Sequence, residues 1–344
     1  MGWETVPLAG SLGNYRDDWD RLNATLYRSQ PFFDSRFIEP MLKFFATGEE
    51  RLCVHSQHGE IDGLLILTPR RTGIWSLFTP SQMQIVPILL KDSALLHSLI
   101  KVLPSFTISV EFLRQDPLLT PFNKNVNALE IIHQSQALTI TVTITNQFSD
   151  YWSLRSKNLK KNHHRHFKRQ KKNFQSMRLG CHETPDSIHE AVNRYGIMES
   201  RGWKGWQGTS LNPNNKQGAC YAELMEHFAE SDNASVYELY FDDLMVASRL
   251  CVLNSDMLII LKTTYHEDLA EYAPGQLLLH AVLEKEFLRQ RVKAVEFYTN
   301  ATPDQVSWST DQRLINNVTL FRHSLLKHAY LFKRSLRQNS IIKK

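Results

Sequence analysis

The 344-residue chain lacks several features that mark secreted, metal-binding or membrane-spanning proteins. Its four cysteines, at positions 53, 181, 220 and 251, are widely separated and form no Cys-x-x-Cys pair, which argues against a disulfide framework. No apolar run approaches the ~20 residues of a membrane-spanning helix. The first residues show no basic and apolar regions of a secretory signal. These absences predict a reduced, cytoplasmic protein with no transmembrane segment.

The net charge is +5 at pH 7, and the excess of positive charge comes from two segments. Residues 155–172 contain nine Lys and Arg, residues 322–344 contain seven, and neither segment contains Asp or Glu. The rest of the chain has more acidic than basic residues. An anionic partner is therefore expected at one of these two segments.

The alternation of helix and strand patterns predicts a mixed α/β fold (α+β, with mixed sheets). In the first half, two helices are expected at 15–27 and 34–45, followed by three short strands separated by glycines. In the second half, helices again precede three closely spaced strands, at 235–241, 245–253 and 257–264, and a further helix at 275–290. Two copies of one α/β fold are expected, as domains at residues 1–145 and 146–344.

A glycine turn follows the last of these three strands. Tyr272-Ala273-Pro274-Gly275 opens an apolar helix. The first N–H groups of a helix point outward and its dipole favours negative charge, so such a turn can bind a phosphate or pyrophosphate. Pro-Gly before a helix is also ordinary punctuation, and the local sequence alone favours that simpler interpretation.

The loop at 201–209 has an unusual composition, with three glycines, two tryptophans and two cations in nine residues. Glycines allow a ligand to approach the backbone closely, the indoles offer flat apolar walls, and Lys204 could meet an anion. A surface loop whose tryptophans cover the core is an equally good interpretation.

The order of these motifs resembles that of the CelD/BcsL-type acyltransferases, bacterial proteins of the GNAT (Gcn5-related N-acetyltransferase) superfamily. The resemblance rests on Glu199-Ser200-Arg201-Gly202-Trp203-Lys204-Gly205 with Gly208-Thr209, on Leu261-Lys262-Thr263-Thr264-Tyr265, and on Tyr272-Ala273-Pro274-Gly275-Gln276-Leu277-Leu278. Gln30-Pro31-Phe32-Phe33, a basic helix at 156–174, and Glu296-Phe297 before Trp308 extend it over nearly the whole chain.

The resemblance implies two tandem GNAT-like domains, distantly similar also to the Fem aminoacyltransferases, with the N-terminal domain degenerate. The C-terminal domain would bind acetyl-CoA or another acyl-CoA where two neighbouring strands separate. It would transfer the acyl group to an amine or hydroxyl of a small-molecule or saccharide acceptor. The family association points to cell-envelope or exopolysaccharide (cellulose-type) biosynthesis.

When the family's site residues are placed on the matching positions of this sequence, the resemblance implies one set of residues for the donor and another for the acceptor. The donor would contact Leu261, Lys262, Thr263, Pro274, Gly275, Gln276 and Leu277. The acceptor would contact Trp203, Lys204, Gly205, Gly208, Thr209 and Trp308.

Acyl transfer also needs an acid for the leaving thiolate and a base for the attacking amine. Tyr265 or Tyr272 could be the acid. Glu267, Asp268 or Glu296 could be the base, although for each carboxylate a solvated or ion-paired residue is the favoured interpretation.

One stretch departs from the family pattern. Members usually carry Tyr-Lys before the tryptophan, where this chain has Asp304-Gln305, and Asn300 replaces a glycine. A lysine that would hold a phosphate or position an acceptor is missing. Either the acceptor differs or the activity is weakened, so a catalytically degenerate GNAT scaffold that acts as a binding protein is an alternative.

The basic helix at 156–174 is expected to bury only a thin stripe and to present a broad cationic face. RNA or an anionic lipid surface would fit that face, and a Fem-like transferase that uses aminoacyl-tRNA is the corresponding alternative function. A solvated helix docked on the second domain is the simpler interpretation. His163, His164 and His166 have no Cys or His partner at ligand spacing, so no metal site is expected.

Overall fold

The computed structural model describes residues 2–122, 130–202, 210–212 and 214–342, with side chains described up to position 336. The chain forms two compact units. Unit 1 comprises Met1–Ala137 and Arg313–Lys344, and unit 2 comprises Leu138–Gln312. Unit 1 therefore includes a C-terminal segment that the predicted division at residues 145 and 146 assigns to the second domain.

The strands and helices are numbered in chain order. The strands are β1 (Gly2–Pro7), β2 (Arg51–Gln57), β3 (Glu60–Arg71), β4 (Ile74–Leu77), β5 (Leu89–Leu90), β6 (Ser109–Gln115), β7 (Ile131–Thr143), β8 (Met177–His182), β9 (Ala234–Phe241), β10 (Leu244–Leu253), β11 (Met257–Tyr265), β12 (Ala294–Glu296) and β13 (Asp311–Phe321). The α-helices are α1 (Arg16–Tyr27), α2 (Ser35–Phe45), α3 (Leu96–Val102), α4 (Phe148–Ser153), α5 (Lys157–Asn173), α6 (Pro185–Arg201), α7 (Lys216–Ala229), α8 (Pro274–Arg289), α9 (Pro303–Val306) and α10 (Ser324–Ile342).

The two units repeat one topology. In unit 1, β1 pairs with β2, and β2, β3 and β4 form an antiparallel meander. The next partner, β6, is parallel to β4, and β13 then pairs antiparallel with β6. Unit 2 has the same series, since β8, β9, β10 and β11 are antiparallel neighbours, β12 is parallel to β11, and β7 is antiparallel to β12.

The helices occupy matching places in the two series. Helices α1 and α2 precede the meander of unit 1, as α6 and α7 precede that of unit 2. Helix α3 connects β4 to its parallel partner, and α8 does the same for β11. The prediction of a mixed α/β fold in two similar copies is confirmed.

A buried polar cluster fixes α8 against the meander of unit 2. The fully buried Glu286 carboxylate accepts a hydrogen bond of 2.6 Å from the Tyr237 hydroxyl and one of 2.7 Å from Nε of Arg291. Arg291 also donates from Nη1 to Glu183 at 2.7 Å. A buried carboxylate is stable only when it is paired in this way. The cluster therefore holds the C-terminal part of α8 against β9.

Two stacked histidines, His163 on α5 and His280 on α8, lie in an aromatic cluster. The rings of His163 and His280 are 3.9 Å apart, and His280 also contacts Trp152 edge-on at 4.7 Å. Burial lowers the pKa of His163 to about 4, with a further contribution from charge on His166 and His164. Burial also lowers the pKa of His280 to about 3, with a further contribution from charge on His163. Both rings are therefore neutral at pH 7, and the cluster behaves as part of the apolar core.

This pair makes stability depend on pH. Below the ordinary histidine pKa of about 6.5, the unfolded chain takes up protons that the folded chain does not bind, so the free energy of unfolding falls as the pH drops toward 4. We expect His280→Phe, which keeps an aromatic ring, to weaken the decline of Tm between pH 7 and pH 4. The same change at the exposed His97 on α3 should leave the decline as it is, and an unaltered profile for His280→Phe would contradict the assignment.

Candidate active site

Strand β11 separates from its parallel neighbour halfway along its length. It pairs with β12 only at Met257, Leu258 and Ile259, whereas its pairing with β10 continues to Tyr265. The register with β10 shifts at Leu261, which is the extra residue of a β-bulge. From position 260 onward, the side of β11 away from β10 has no partner strand among the described residues. Beyond Ile259, that side of β11 is therefore a strand edge that lies outside the described sheet pairing.

The helix that follows begins with an uncapped turn. Its N-cap, Ala273, has φ 50° and ψ 52°, a left-handed conformation that costs a non-glycine residue about 1 kcal/mol or more, and it provides no side-chain cap. Pro274 has no N–H group, and no described residue accepts a hydrogen bond from the N–H of Gly275. The N–H groups of Gln276 and Leu277 both bond to the carbonyl of Ala273, at 2.9 and 3.1 Å. The turn thus presents a free N–H at a positive helix end.

Tyr265 lies beside this turn. A Cβ atom added at Gly275 would lie 3.8 Å from Cδ1 of Tyr265 and would meet no other atom within 4 Å. The Tyr265 side chain is 44% exposed. The end of the separated strand and the start of α8 therefore lie side by side, with open space around Gly275.

A pocket of about 490 Å³ opens at the same end of β11. The second half of α6, the turn between β9 and β10, and the residues that follow β11 form its wall. The lining residues are Arg194, Ile197, Met198, Arg201, Gly202, Leu244, Met245, Tyr265, His266, Glu267 and Asp268. Because Tyr265 belongs to this wall and also lies beside Gly275, the pocket adjoins the uncapped turn.

The pocket wall carries positioned groups of both charges. Arg194 is fixed by the buried carboxylate of Glu238, through Nε to Oε1 at 2.9 Å and Nη2 to Oε2 at 3.1 Å. The carboxylate of Glu267 lies against the backbone of Gly202, since a Cβ added there would lie 2.5 Å from Glu267 Oε1. Nδ1 of His266 is buried without a hydrogen-bond partner in the part of the chain that the structure describes. These groups can bind a polar molecule and exchange a proton with it.

A buried arginine underlies the separated strand. Arg249 on β10 is 5% exposed, and its Nε donates to Oγ1 of Thr263 on β11 at 3.0 Å. Its Nη1 is buried without a hydrogen-bond partner, and no described carboxylate lies within ion-pair distance. Burial lowers the pKa of this guanidinium to about 10, which leaves it charged at neutral pH. An uncompensated buried cation is costly, so its presence here points to a function.

The predicted donor residues come together at one end of β11. Leu261 is the buried bulge residue, and Thr263 holds Arg249. Nζ of Lys262 lies 5.4 Å from the ring centre of Tyr221. Pro274, Gly275, Gln276 and Leu277 form the first turn of α8, and Leu277 faces the core at 1% exposure.

Three other predicted residues lie in the core of unit 2. Tyr272 is 8% exposed, with its ring 5.4 Å from that of Phe174, and Trp308 is 2% exposed, with its ring 5.5 Å from that of Trp152. Glu296 is also buried, and both of its carboxylate oxygens lie 3.0 Å from Oγ1 of Thr141. None of these three side chains lines the pocket, so their positions give the predicted catalytic and acceptor-binding roles no support.

The predicted acceptor residues Trp203, Lys204, Gly205, Gly208 and Thr209 lie outside the described residues. Sequence reasoning did not identify Arg194, His266 or Arg249 as functional. Arg194 and Arg249 occur singly in an ordinary helix and an apolar strand, so no local signal distinguishes them. His266 directly follows Tyr265 in the motif, and its position there is the one signal that could have identified it.

The residues that replace the family's Tyr-Lys pair and glycine have local structural roles. Gln305 and Thr302 cap α9 reciprocally, with Thr302 N to Gln305 Oε1 at 2.9 Å and Gln305 N to Thr302 Oγ1 at 3.3 Å. Asn300 Oδ1 accepts from the N–H of Leu138 at 3.3 Å. This stretch therefore forms a stable turn beyond β12 without the lysine.

Unit 1 has no comparable turn where its helix follows the meander. A short 3₁₀ helix, Ser93–Leu95, leads into α3, and the Asp92 carboxylate caps it by accepting a hydrogen bond from Ala94 N at 2.8 Å. A carboxylate at this position occupies the free N–H groups and repels an anion. The features of an anion site thus occur in unit 2.

The strand and helix order of unit 2, with a parallel pair that separates before a helix, is that of a GNAT domain. Residues 160–305 match the sequence model of the acetyltransferase (GNAT) domain, in agreement with the fold of unit 2. The narrower resemblance to the CelD/BcsL type stays a prediction. No curated protein sequence matches the chain.

Several solved structures share the fold at low sequence identity. A conserved Bacteroides thetaiotaomicron protein of unknown function is 10% identical with a TM-score of 0.60, over 92% of this chain and 99% of that one. FemX is 9% identical with a TM-score of 0.59, over 94% and 98% of the two chains. The C-terminal domain assigned to a lysylphosphatidylglycerol synthetase of Agrobacterium fabrum is 9% identical with a TM-score of 0.56, over 92% and 96%. At these identities, the similarity establishes the fold alone.

Within the described ranges, no helix is both long and apolar enough to cross a membrane. The same part of the chain contains no group of three or more His, Cys, Asp or Glu side chains that could hold a metal ion.

Proposed function

We propose that unit 2 is an acyltransferase domain that moves an acetyl or other acyl group from acyl-CoA to an amine or hydroxyl acceptor. The observation that carries this proposal is the separation of β11 from β12 immediately before the uncapped turn at Gly275. A strand edge that has separated from its parallel neighbour suits the amide groups of the pantetheine arm, and the free N–H of Gly275 at the helix start suits the pyrophosphate. The open space around Gly275 gives a phosphate room to approach.

The groups around the pocket can carry out the proton transfers. As the acceptor nitrogen or oxygen forms its bond to the acyl carbon and the carbon–sulfur bond breaks, one proton must leave the acceptor and another must reach the thiolate. Glu267 or His266 takes the proton from the acceptor, since both line the pocket. Tyr265 gives its proton to the thiolate, because it lies between the pocket and the donor turn. A backbone N–H group of β11 beyond Ile259 polarises the thioester carbonyl.

The pocket favours an acceptor that carries an anionic group as well as the attacking amine or hydroxyl. Arg194 and Arg201 provide cations on one side, and Glu267 and Asp268 provide carboxylates after β11. A saccharide or another cell-envelope intermediate is the acceptor that the family resemblance suggests. Incubation with acetyl-CoA and a panel of amino acids, amino sugars and hydroxyl compounds, followed by mass spectrometry, tests this proposal. A mass increase of one acetyl group on an acceptor supports it.

A comparison of substitutions at the buried Arg249 and the partly buried Arg291 tests whether Arg249 serves binding rather than stability. Arg249→Met removes a buried cation that lacks a carboxylate partner, so we expect the free energy of unfolding to rise by about 1–2 kcal/mol while acyl transfer falls. Arg291→Met is the matched control. It removes the cation that donates to the fully buried Glu286 carboxylate and should lower the free energy of unfolding by about 3–5 kcal/mol. Thermal or urea unfolding with a transfer assay measures both, and destabilisation by Arg249→Met would show a structural role.

A Fem-like transferase that uses aminoacyl-tRNA is the second candidate, and the cationic face of α5 favours it. Lys157, Lys161, Arg165, Lys168, Lys171 and Lys172 are all exposed on this helix. Of its remaining cations, Arg169 is bound to Glu271, through Nη1 to the carbonyl at 2.8 Å. RNA bound to such a face would make the affinity fall steeply with salt.

The two candidates predict different ligands. If tRNA is the donor, unmodified tRNA should bind with a strong salt dependence, and neutralising Lys161, Arg165, Lys168 and Lys172 to Gln should abolish binding. Acetyl-CoA should then leave Tm unchanged. If the domain is a scaffold without activity, acetyl-CoA should raise Tm and no acceptor in the panel should be acylated.

A further inference from the structure

The last helix of unit 1 carries an apolar stripe that is open to solvent. On α10, Leu325 is 80% exposed, Phe332 is 67% exposed and Leu336 is 54% exposed. Their spacing of seven and four residues places all three on one face of the helix. Large apolar side chains grouped in this way on a surface mark an interaction site.

The opposite side of α10 faces the body of unit 1. The ring of Tyr330 lies 5.4 Å from that of Phe321, and Nζ of Lys327 lies 3.2 Å from Oε2 of Glu130. Among positions 324–336, only Leu326, Lys327 and Arg334 are half-buried, and the others are exposed. The helix is therefore held along one side, and the stripe points away from the unit. A helix of this length needs packing on its apolar face to be stable, and unit 1 does not provide that packing.

Charge limits what can cover the stripe. Residues 322–344 contain seven Lys and Arg and no Asp or Glu. Arg322 anchors the start of the helix by donating to the carbonyls of Thr107 and Ile100, both at 2.7 Å. Lys333 is exposed and lies about a quarter turn around the helix from the stripe. At that position the stem of a lysine can lie along an apolar surface while its charged end reaches polar surroundings. A second copy of this helix would bring two cationic segments together, whereas an anionic lipid surface complements both the charge and the stripe.

We infer that α10 is an in-plane membrane-binding helix. Leu325, Phe332 and Leu336 insert at the boundary between headgroups and acyl chains of an anionic leaflet, and Lys333 reaches the lipid phosphates. The helix lies on the membrane and does not cross it, in agreement with the finding that no described helix is apolar enough to span. This surface belongs to unit 1, so the inference holds whether the GNAT domain uses acyl-CoA or another donor.

Flotation of the full chain with vesicles tests the inference. Vesicles of phosphatidylcholine with about 30 mol% phosphatidylglycerol should carry the protein upward, and pure phosphatidylcholine vesicles should carry much less. The triple variant Leu325→Ser, Phe332→Ser and Leu336→Ser should reduce the partition coefficient by about a hundredfold or more. Because this variant changes no charge, it distinguishes insertion of α10 from electrostatic attraction of the basic helix α5 to the anionic vesicles. Lys333→Gln should reduce partition by about fivefold.

The matched control is Leu288→Ser, which removes an 85% exposed apolar side chain from α8 of unit 2 and should float like the wild type. All substituted positions are exposed, so equal Tm values should show that the variants fold. Failure of the wild type to float, or wild-type flotation of the triple variant, would overturn the inference. A wild-type dimer in sedimentation analysis that the triple variant converts to monomers, without vesicle binding, would identify a second copy as the occupant instead.

Discussion

Gly275→Glu is expected to abolish the stabilisation of the protein by acetyl-CoA. The new carboxylate would lie at the first free N–H of α8, where it caps the helix and repels the pyrophosphate. Ligand at 100 times its Kd stabilises the wild type by about 2.7 kcal/mol, which a thermal-shift assay detects as a rise in Tm of several degrees. The variant should keep the Tm of the free protein and show no rise.

Gly275→Ala is the matched control for this experiment. A Cβ at position 275 meets only Tyr265 Cδ1, at 3.8 Å, which is an ordinary contact. The alanine variant should therefore keep most of the acetyl-CoA response, and its Tm without ligand should be at least that of the wild type, because alanine favours helix. Equal loss of the response in both variants would indicate that side-chain bulk, rather than charge, blocks the site. A full acetyl-CoA response in Gly275→Glu would show that the pyrophosphate does not bind at this turn.

Tyr265→Phe should lower the rate constant of acyl transfer by about a hundredfold, with little change in acetyl-CoA binding. The phenol is the group that gives its proton to the thiolate in our proposal, and its ring, which phenylalanine keeps, forms the contact with the turn. The measurement is the release of free CoA thiol in the presence of an acceptor identified from the panel. Thermal shift with acetyl-CoA reports binding separately from catalysis.

Tyr272→Phe provides the comparison, because Tyr272 is the other candidate acid by sequence. Its ring packs between Phe174 and Phe241 in the core, so removal of the hydroxyl should leave the transfer rate near that of the wild type. A large loss in Tyr272→Phe with a wild-type rate in Tyr265→Phe would assign the proton to Tyr272 and contradict our choice.

Local patterns are sufficient to predict the elements that form the donor site. The helix predicted at 34–45 is α2, and its first predicted residue, Asp34, caps it by accepting a hydrogen bond from Arg36 N at 2.9 Å. The basic helix, predicted at 156–174, is α5 at Lys157–Asn173, and the helix predicted at 275–290 begins with Pro274. These predictions succeed because capping residues, helical spacing and Pro-Gly are all signals within a few residues of one another.

Features that depend on long-range pairing are not predicted. Strand β1 (Gly2–Pro7) is missed because it is short, and it forms through its pairing with β2, about 50 residues away. Unit 1 recruits the end of the chain because β13 pairs with β6, a register that no local pattern encodes. The basic composition of residues 322–344 is evident in the sequence, but the exposed stripe of α10 depends on which side of the helix packs against unit 1.

The candidate site likewise combines features that local sequence predicts with features that form only in the fold. The turn at Gly275 is predictable because strand, loop and helix are consecutive in the sequence. The pocket is not, since α6, the turn before β10 and the residues after β11 meet only in the fold. Arg249 illustrates the limit most clearly, because a single arginine in an apolar strand has the same local pattern whether it is paired or left without a partner. Tyr272, Glu296 and Trp308 belong to motifs of the resemblance, yet their side chains are buried in the core.

Hydrogen–deuterium exchange of the wild-type protein with and without acetyl-CoA tests the central claim most directly. The claim is that the donor lies along the edge of β11 beyond Ile259 and at the first turn of α8. We expect acetyl-CoA to slow exchange at residues 260–265 and 275–277 and to leave residues 93–103 of unit 1 unchanged. Protection confined to unit 1, or no protection at millimolar acetyl-CoA, would contradict the account.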